Sequence, residues 1–200
     1  MALIVLDRQH SGKPRKPWDR GAGFDLDGDG QVEVVEQEAI LTPVYGLQAG
    51  IRLIEAGHHV IPISDGSYSE RHARARAMEA DIYVALHINM GGANRGVGFY
   101  DRRSGAGKVL AGFVAAQLGA HCPELGSYRR LACYDDRAEP QPWLFNPWAT
   151  IRGVYQGRPV GLCYEPFQLN HPSHRALASP EGLARVGAAL AAGIIDYLES

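Results

Sequence analysis

Asp81-Ile82-Tyr83-Val84-Ala85-Leu86-His87 is the stretch that decides how this chain is read. A continuous apolar run of this kind reads as a strand covered on both faces, as in a largely parallel sheet. It ends in an imidazole. Two further runs behave alike. Ala2-Leu3-Ile4-Val5-Leu6-Asp7 leads to His10, and Val160-Gly161-Leu162-Cys163-Tyr164 ends in Glu165. In such sheets the ligand crevice lies beyond the carboxyl ends of the strands. Three strands would therefore bring two imidazoles and a carboxylate to one rim, which is the composition of a hydrolytic zinc site.

Around these strands the chain alternates strand and helix patterns. Ser11 to Gly30 is polar and rich in Gly and Pro, hence loop. Helical periodicity runs from near Glu36 to Ala56. Its apolar residues Ile40, Val44, Leu47, Ile51 and Ile54 are spaced in threes and fours, forming one stripe expected to face the core. Pro43 predicts either a start near Thr42 or a kink. Gly57 ends the helix and His59 to Ser64 reads as a second strand. Ser69 to Ala80 reads as a polar helix capped by Ser69. After His87 come a Gly-rich loop, a strand Val97 to Tyr100 and an Ala/Leu-rich helix Lys108 to Ala120. Cys122 to Arg158 has irregular texture. The Val160 strand, a loop from Asn170 to Ser179 and a helix Pro180 to Leu198 close the chain. The expected fold is α/β, a single mixed, mostly parallel sheet flanked by helices, with residues 1–200 forming one domain.

Composition narrows the partners. The formal charge of −2 gives no electrostatic case for nucleic acid. No run approaches ~20 apolar residues, so no membrane insertion is expected. The three cysteines, Cys122, Cys133 and Cys163, have no metal-type pair spacing. Met1 runs almost directly into a strand without a secretory leader, so synthesis in the cytoplasm is expected. A monomer is the expected form.

Zinc that works on amides takes three protein ligands and a water, and two His with one Glu is a known set. His10 and His87 supply the imidazoles. The third ligand should be a carboxylate at the start of a helix packed beside the first strand, where Glu38 is well placed. Glu165 is then left to act as general base. A second metal motif is explicit. Asp25-Leu26-Asp27-Gly28-Asp29-Gly30-Gln31-Val32-Glu33-Val34-Val35-Glu36 fills the twelve positions of an EF-hand-like loop. Asp25, Asp27 and Asp29 offer oxygens at positions one, three and five, Gln31 its carbonyl at seven, Glu33 a water-mediated contact at nine, and Glu36 two oxygens at twelve. No helix pattern precedes it, so an isolated structural calcium loop is expected, one that fixes the start of the Glu38 helix.

The order of these elements resembles the zinc-dependent N-acetylmuramoyl-L-alanine amidases that cut bacterial peptidoglycan. Leu6-Asp7-Arg8-Gln9-His10-Ser11-Gly12 is similar to that family's Leu-Asp-Pro-Gly-His-Gly-Gly. Counting back from Gly57 places the family's glutamate ligand at Glu38. Arg71, Ala80-Asp81 and Ala85-Leu86-His87-Ile88-Asn89 echo its His-x-Asn block, and Gly96-Val97-Gly98-Phe99-Tyr100 its following strand. Glu165-Pro166-Phe167-Gln168-Leu169-Asn170 resembles its catalytic Glu-x-Gly-Phe-x-x-Asn, one residue short. Arg8-Gln9 stands where Pro-Gly is usual, and Ser64-Asp65 replaces the family's Thr-Arg.

The resemblance implies zinc-dependent cleavage of the bond between N-acetylmuramic acid and L-alanine. Asp7 and Asn89 are candidates for hydrogen bonds that orient the ligands, and Arg71 or Arg152 for meeting a peptide carboxylate. Trp143, Phe145 and Trp148 could wall a glycan groove. A phage or prophage endolysin, reaching the cell wall after membrane permeabilisation, is the expected role. The competing readings are a zinc hydrolase of another amide and a calcium-stabilised, non-catalytic wall-binding module.

Overall fold

Strand β1 (Leu3–Arg8) lies between β2 (His59–Ile63) and β3 (Ile82–Leu86), and the sheet continues through β6 (Val160–Glu165) and β4 (Gly96–Asp101) to β5 (Tyr128–Cys133). The computed structural model describes residues 1–10, 21–27, 29–133, 147–154 and 158–200. β2, β1, β3 and β6 run parallel, β4 is antiparallel to β6, and β5 is parallel to β4. The mixed, mostly parallel sheet expected from the three apolar runs is the one that forms. Its register aligns Leu6 with Val84 and Val84 with Leu162, so β1, β3 and β6 finish together at one edge.

Alternation along these strands divides the core. Ile4, Leu6, Val84, Leu86, Leu162 and Tyr164 join the larger cluster. That layer contains α1 (Glu38–Glu55), α3 (Gly105–His121) and α5 (Pro180–Glu199), with α5 packed against both others. Val5, Tyr83, Ala85 and Cys163 point the other way, into a smaller cluster beside α2 (Tyr68–Ala77) and the short α4 (Pro147–Ile151). Both faces of the central strands are covered, which is why those strands read as unbroken apolar runs.

Five local expectations are corrected. α1 begins at Glu38 and carries Pro43 inside it, so of the two readings of the proline a start near Thr42 is excluded. Its bulky stripe does not face the core: Leu47 is 62% and Ile54 58% exposed, and Val44 and Ile51 are exposed as well. The buried face holds Leu41, Tyr45, Ala49 and Leu53 with Gly46 and Gly50. There α5 comes so close that a Cβ on Gly187 would meet Ala49 N at 3.0 Å. Small residues set that approach, and a search for bulky periodicity finds the opposite side.

The N-cap of α2 is Ser67, whose hydroxyl accepts from Glu70 N while Glu70 Oε2 accepts from Ser67 N at 2.6 Å. α3 begins at Gly105 under a Ser104 cap, ahead of Lys108. Finally, β5 falls within the stretch read as irregular. Among the described residues it is an edge strand, with exposed Arg129 and Arg130. Charges on a strand paired along one side erase the apolar run yet block edge-to-edge association. Among the described residues, no helix is long and apolar enough to cross a membrane.

Candidate metal centre and active site

His10, Glu38 and His87 converge. Each offers one ligand atom, and the three atoms lie within 4.8 Å of one another. His10 follows β1, His87 follows β3, and Glu38 is the first residue of α1. The two imidazole rings stand edge to face with centroids 5.3 Å apart. Glu38 Oε1 is 2.8 Å from His87 Nδ1 and its Oε2 is 3.6 Å from His10 Nε2. Metal–ligand bonds near 2.0–2.1 Å in a tetrahedron place ligand atoms roughly 3.3 Å apart. The observed separations straddle that value, and two imidazoles with one carboxylate match a zinc donor set. These residues fit the ion.

The main chain fixes Glu38 firmly. Ala22 N donates to Oε2 at 2.8 Å and Ile88 N to Oε1 at 3.0 Å. In return Glu38 N donates to Ala22 O at 2.7 Å. Burial acts to raise the pKa of this carboxyl. The hydrogen bond and charge of His87, the charge of His10 and the Ala22 amide outweigh it, holding Glu38 below its ordinary value and therefore anionic. His10 itself adopts φ 61, a left-handed backbone that few side chains tolerate. Gly21 roofs the cluster: a Cβ there would fall onto Glu38 Oε2 and within 2.8 Å of the His10 ring, and its φ is +71. Sequence reading passed over Gly21 and Ala22 because their contribution is backbone shape and a missing Cβ, which no side-chain pattern announces.

Glu165, the last residue of β6, is 3% exposed. Burial pushes its carboxyl up to about 8, with the nearby negative Glu38 adding to the rise and the Asn89 hydrogen bond opposing it. Its place at the end of β6, tethered by Asn89, suits a general base that must later return its proton. Asn89 Nδ2 donates to Glu165 Oε2, so Asn89 meets the base and not a metal ligand.

Asp7 and Arg71 form a buried pair, which departs from the substrate role expected of Arg71. Both side chains are fully buried and paired at 2.6 Å. Arg71 also donates through Nε to Gly66 O at 3.0 Å and through Nη2 to Ser64 O at 2.6 Å. Its guanidinium is therefore spent inside the fold and is not exposed to a substrate carboxylate. Asp7 accepts from Tyr83 OH and Gln9 Nε2 as well. This cluster ties the end of β1 to α2 and β3 directly beneath the His10 turn. Arg152 is exposed beyond α4. Trp143 and Phe145 lie outside the described residues, and of Trp148 only its place in α4 is described.

The backbone amides of the acidic loop turn onto its own carboxylates. Gly30 N donates to Asp25 Oδ2 at 2.8 Å, Asp29 N to Asp27 Oδ1 at 3.1 Å, and Gln31 N to Asp29 Oδ1 at 2.8 Å. Gly30 supplies the left-handed turn with φ 93. Asp25, Asp27 and Glu36 form one candidate cation cluster, and Asp27, Asp29 and Glu33 another. Glu36 is 5% exposed and accepts from Leu26 N at 2.6 Å and Glu33 N at 2.9 Å. Glu33 is held above the ordinary carboxyl range, first by its contact with Glu36, then by desolvation and the charge of Asp29.

No protein-family model matches the sequence and no curated protein matches it. Solved structures do. The chain is similar to Cwp6 from Clostridium difficile, with 18% identity and a TM-score of 0.75 over 98% of its length. It spans only 29% of that larger protein. It is also similar to the CwlD amidase from Clostridioides difficile, solved in complex with the GerS lipoprotein, with 17% identity and a TM-score of 0.74, covering 100% of this chain and 99% of that one. N-acetylmuramoyl-L-alanine amidase AmiC2 of Nostoc punctiforme follows, with 18% identity, a TM-score of 0.72 and coverage of 100% and 98%. The fold is the amidase fold. Identities this low speak to architecture.

Proposed function

We propose that this chain hydrolyses the amide between N-acetylmuramic acid and L-alanine in bacterial peptidoglycan, using zinc held by His10, Glu38 and His87. The observation that carries the reading is their convergence within 4.8 Å at the rim where β1 and β3 end, in a protein whose next parallel strand, β6, ends in the buried Glu165. Similarity of fold to a named N-acetylmuramoyl-L-alanine amidase supports the choice of substrate. A zinc ion held by these three residues would supply Lewis acidity, which lowers the pKa of water to about 7 and polarises a carbonyl.

The protein's own residues do the rest. Glu165 takes the proton of the attacking water on the oxygen that Asn89 leaves free, then delivers it to the departing alanine nitrogen. The amides of Ala22 and Ile88 hold Glu38 in place, so the site needs little reorganisation during the reaction. Purified peptidoglycan should release free L-alanine amino groups in proportion to bound zinc. Glu165→Gln should keep the zinc and lose turnover by at least about 100-fold. Release of another end group, or full activity in that variant, would remove the assignment. The lytic role expected from the sequence is part of this proposal, and clearing of a wall-embedded gel is its check.

Calcium belongs to the same proposal. Asp25, Asp27, Asp29, Glu36 and the Gln31 carbonyl are assigned as its ligands, supported by their sequence spacing, the Gly30 turn and the crowding of Glu33 against Glu36. Glu36 and Glu38 lie two residues apart, and Gly23 bridges Gln37 between them. Closing the loop around an ion would therefore also hold Ala22 against Glu38.

A further inference from the structure

Gln168 is a buried primary amide, 1% exposed, in the segment that follows Glu165. Its Oε1 accepts from Gly91 N at 2.6 Å and its Nε2 donates to Arg95 O at 3.1 Å. One side chain thus spans the loop that follows His87 and binds its two ends. The backbone around Gln168 joins the same loop: Asn89 N donates to Phe167 O at 3.1 Å, and Leu169 N to Asn89 O at 2.9 Å. His174 completes the frame. Its Nδ1 accepts from Gln168 N at 3.0 Å and its Nε2 donates to Asn94 Oδ1 at 3.0 Å.

At the centre of this frame is Asn89. Its Oδ1 accepts from Met90 N at 2.6 Å, which fixes the flip of the amide and directs Nδ2 at Glu165 Oε2. Asn89 is the one hydrogen-bond donor to the Glu165 carboxylate among the described residues. An apolar side chain would fill the site of Gln168 equally well by volume. It would remove the partner of Gly91 N and Arg95 O, leaving the loop to its backbone pairs and to the contacts of Asn170 with Gly92 and His174 with Asn94. We propose that Gln168 is a positioning residue for the base: by clamping residues 91–95 it holds the Asn89 amide on one oxygen of Glu165, leaving the other oxygen to meet the reacting water. This rests on the assignment of Glu165 as base; the clamp itself does not.

The test is a double-mutant cycle with zinc-loaded protein. Gln168→Leu should lower kcat by about 10- to 100-fold, the size of a small misplacement of a catalytic group, with KM and bound zinc within about twofold. On an Asn89→Ala background the same change should cost less than about twofold, because the contact it protects is already gone. Gln168→Glu, which keeps the acceptor for Gly91, should recover part of the loss and serves if the leucine variant fails to fold. Independently of turnover, the Asn89 side-chain amide protons in a nuclear magnetic resonance spectrum should shift upfield and exchange at least about tenfold faster in Gln168→Leu. Unchanged exchange, or losses that multiply with those of Asn89→Ala, would overturn the proposal. A wild-type protein inactive on peptidoglycan would instead overturn the amidase reading, and the exchange measurement would still decide the clamp.

Discussion

Glu38 accepts two main-chain hydrogen bonds while facing two imidazoles, and Gly21 leaves no space above it. Gly21→Ala meets two obstacles there, a left-handed φ and a collision with His10 and Glu38. Its zinc dissociation constant, read by competition with a chromophoric chelator, should rise at least about tenfold, equivalent to about 1.4 kcal/mol. Arg71 makes a contrasting case. Arg71→Leu strands Asp7 as a buried charge, and breaking such a pair costs about 3–5 kcal/mol. A fall of that size in the urea unfolding free energy is expected, with KM unchanged in protein that remains folded. A raised KM with intact stability would restore a substrate role.

α1 teaches that spacing locates a stripe but not the side of the helix that packs. Leu47→Lys and Ile51→Lys should each change stability by less than about 0.5 kcal/mol, as exposed positions do. Leu53→Ala, on the fully buried side, should cost about 2–5 kcal/mol. Urea denaturation of the three variants separates the faces. The acidic loop that precedes α1 gives a ligand-dependent expectation. If calcium binds the folded loop alone, stability rises with free ion, by about 2.7 kcal/mol at a hundredfold excess over Kd. A calcium-selective chelator, with zinc kept saturating, should lower both Tm and turnover, since the hydrogen bonds of Ala22 join the loop's base to Glu38. Invariance of both would leave the loop without a role in the site.

At the scale of the whole fold, His174 is one group through which acid acts. Burial, and then the neighbouring His171 whose ring lies 4.5 Å away, push His174 down to about 4. An unfolded histidine titrates near 6.5. Between these values the unfolded chain binds a proton that the folded one refuses, so this contribution is intact above pH ~6.5 and is lost as pH falls toward 4. His174→Asn should flatten the slope of Tm against pH in that window. An unaltered slope would place the acid sensitivity elsewhere. His174 joins Gln168 to Asn94, so the same titration loosens the frame that spans the rim.

Much of this was legible along the chain, for physical reasons that name themselves. β1, β3 and β6 are buried on both faces, and burial writes itself as an unbroken apolar run; the acidic loop needs oxygens at fixed positions and a glycine at the turn, so its spacing is its signature. β5 left no such mark because an edge strand is solvated, and the packing face of α1 was hidden because close helix contact selects glycine and alanine. Residue order placed His10, His87 and Glu165 at strand ends, since side chains that finish parallel strands share an edge. Only the folded chain decided that Arg71 neutralises Asp7 instead of facing outward, that Gly21 and Ala22 complete the Glu38 cradle, and that Gln168 braces Asn89. Those are contacts between residues far apart in number, set by how the layers pack, and no local pattern encodes them.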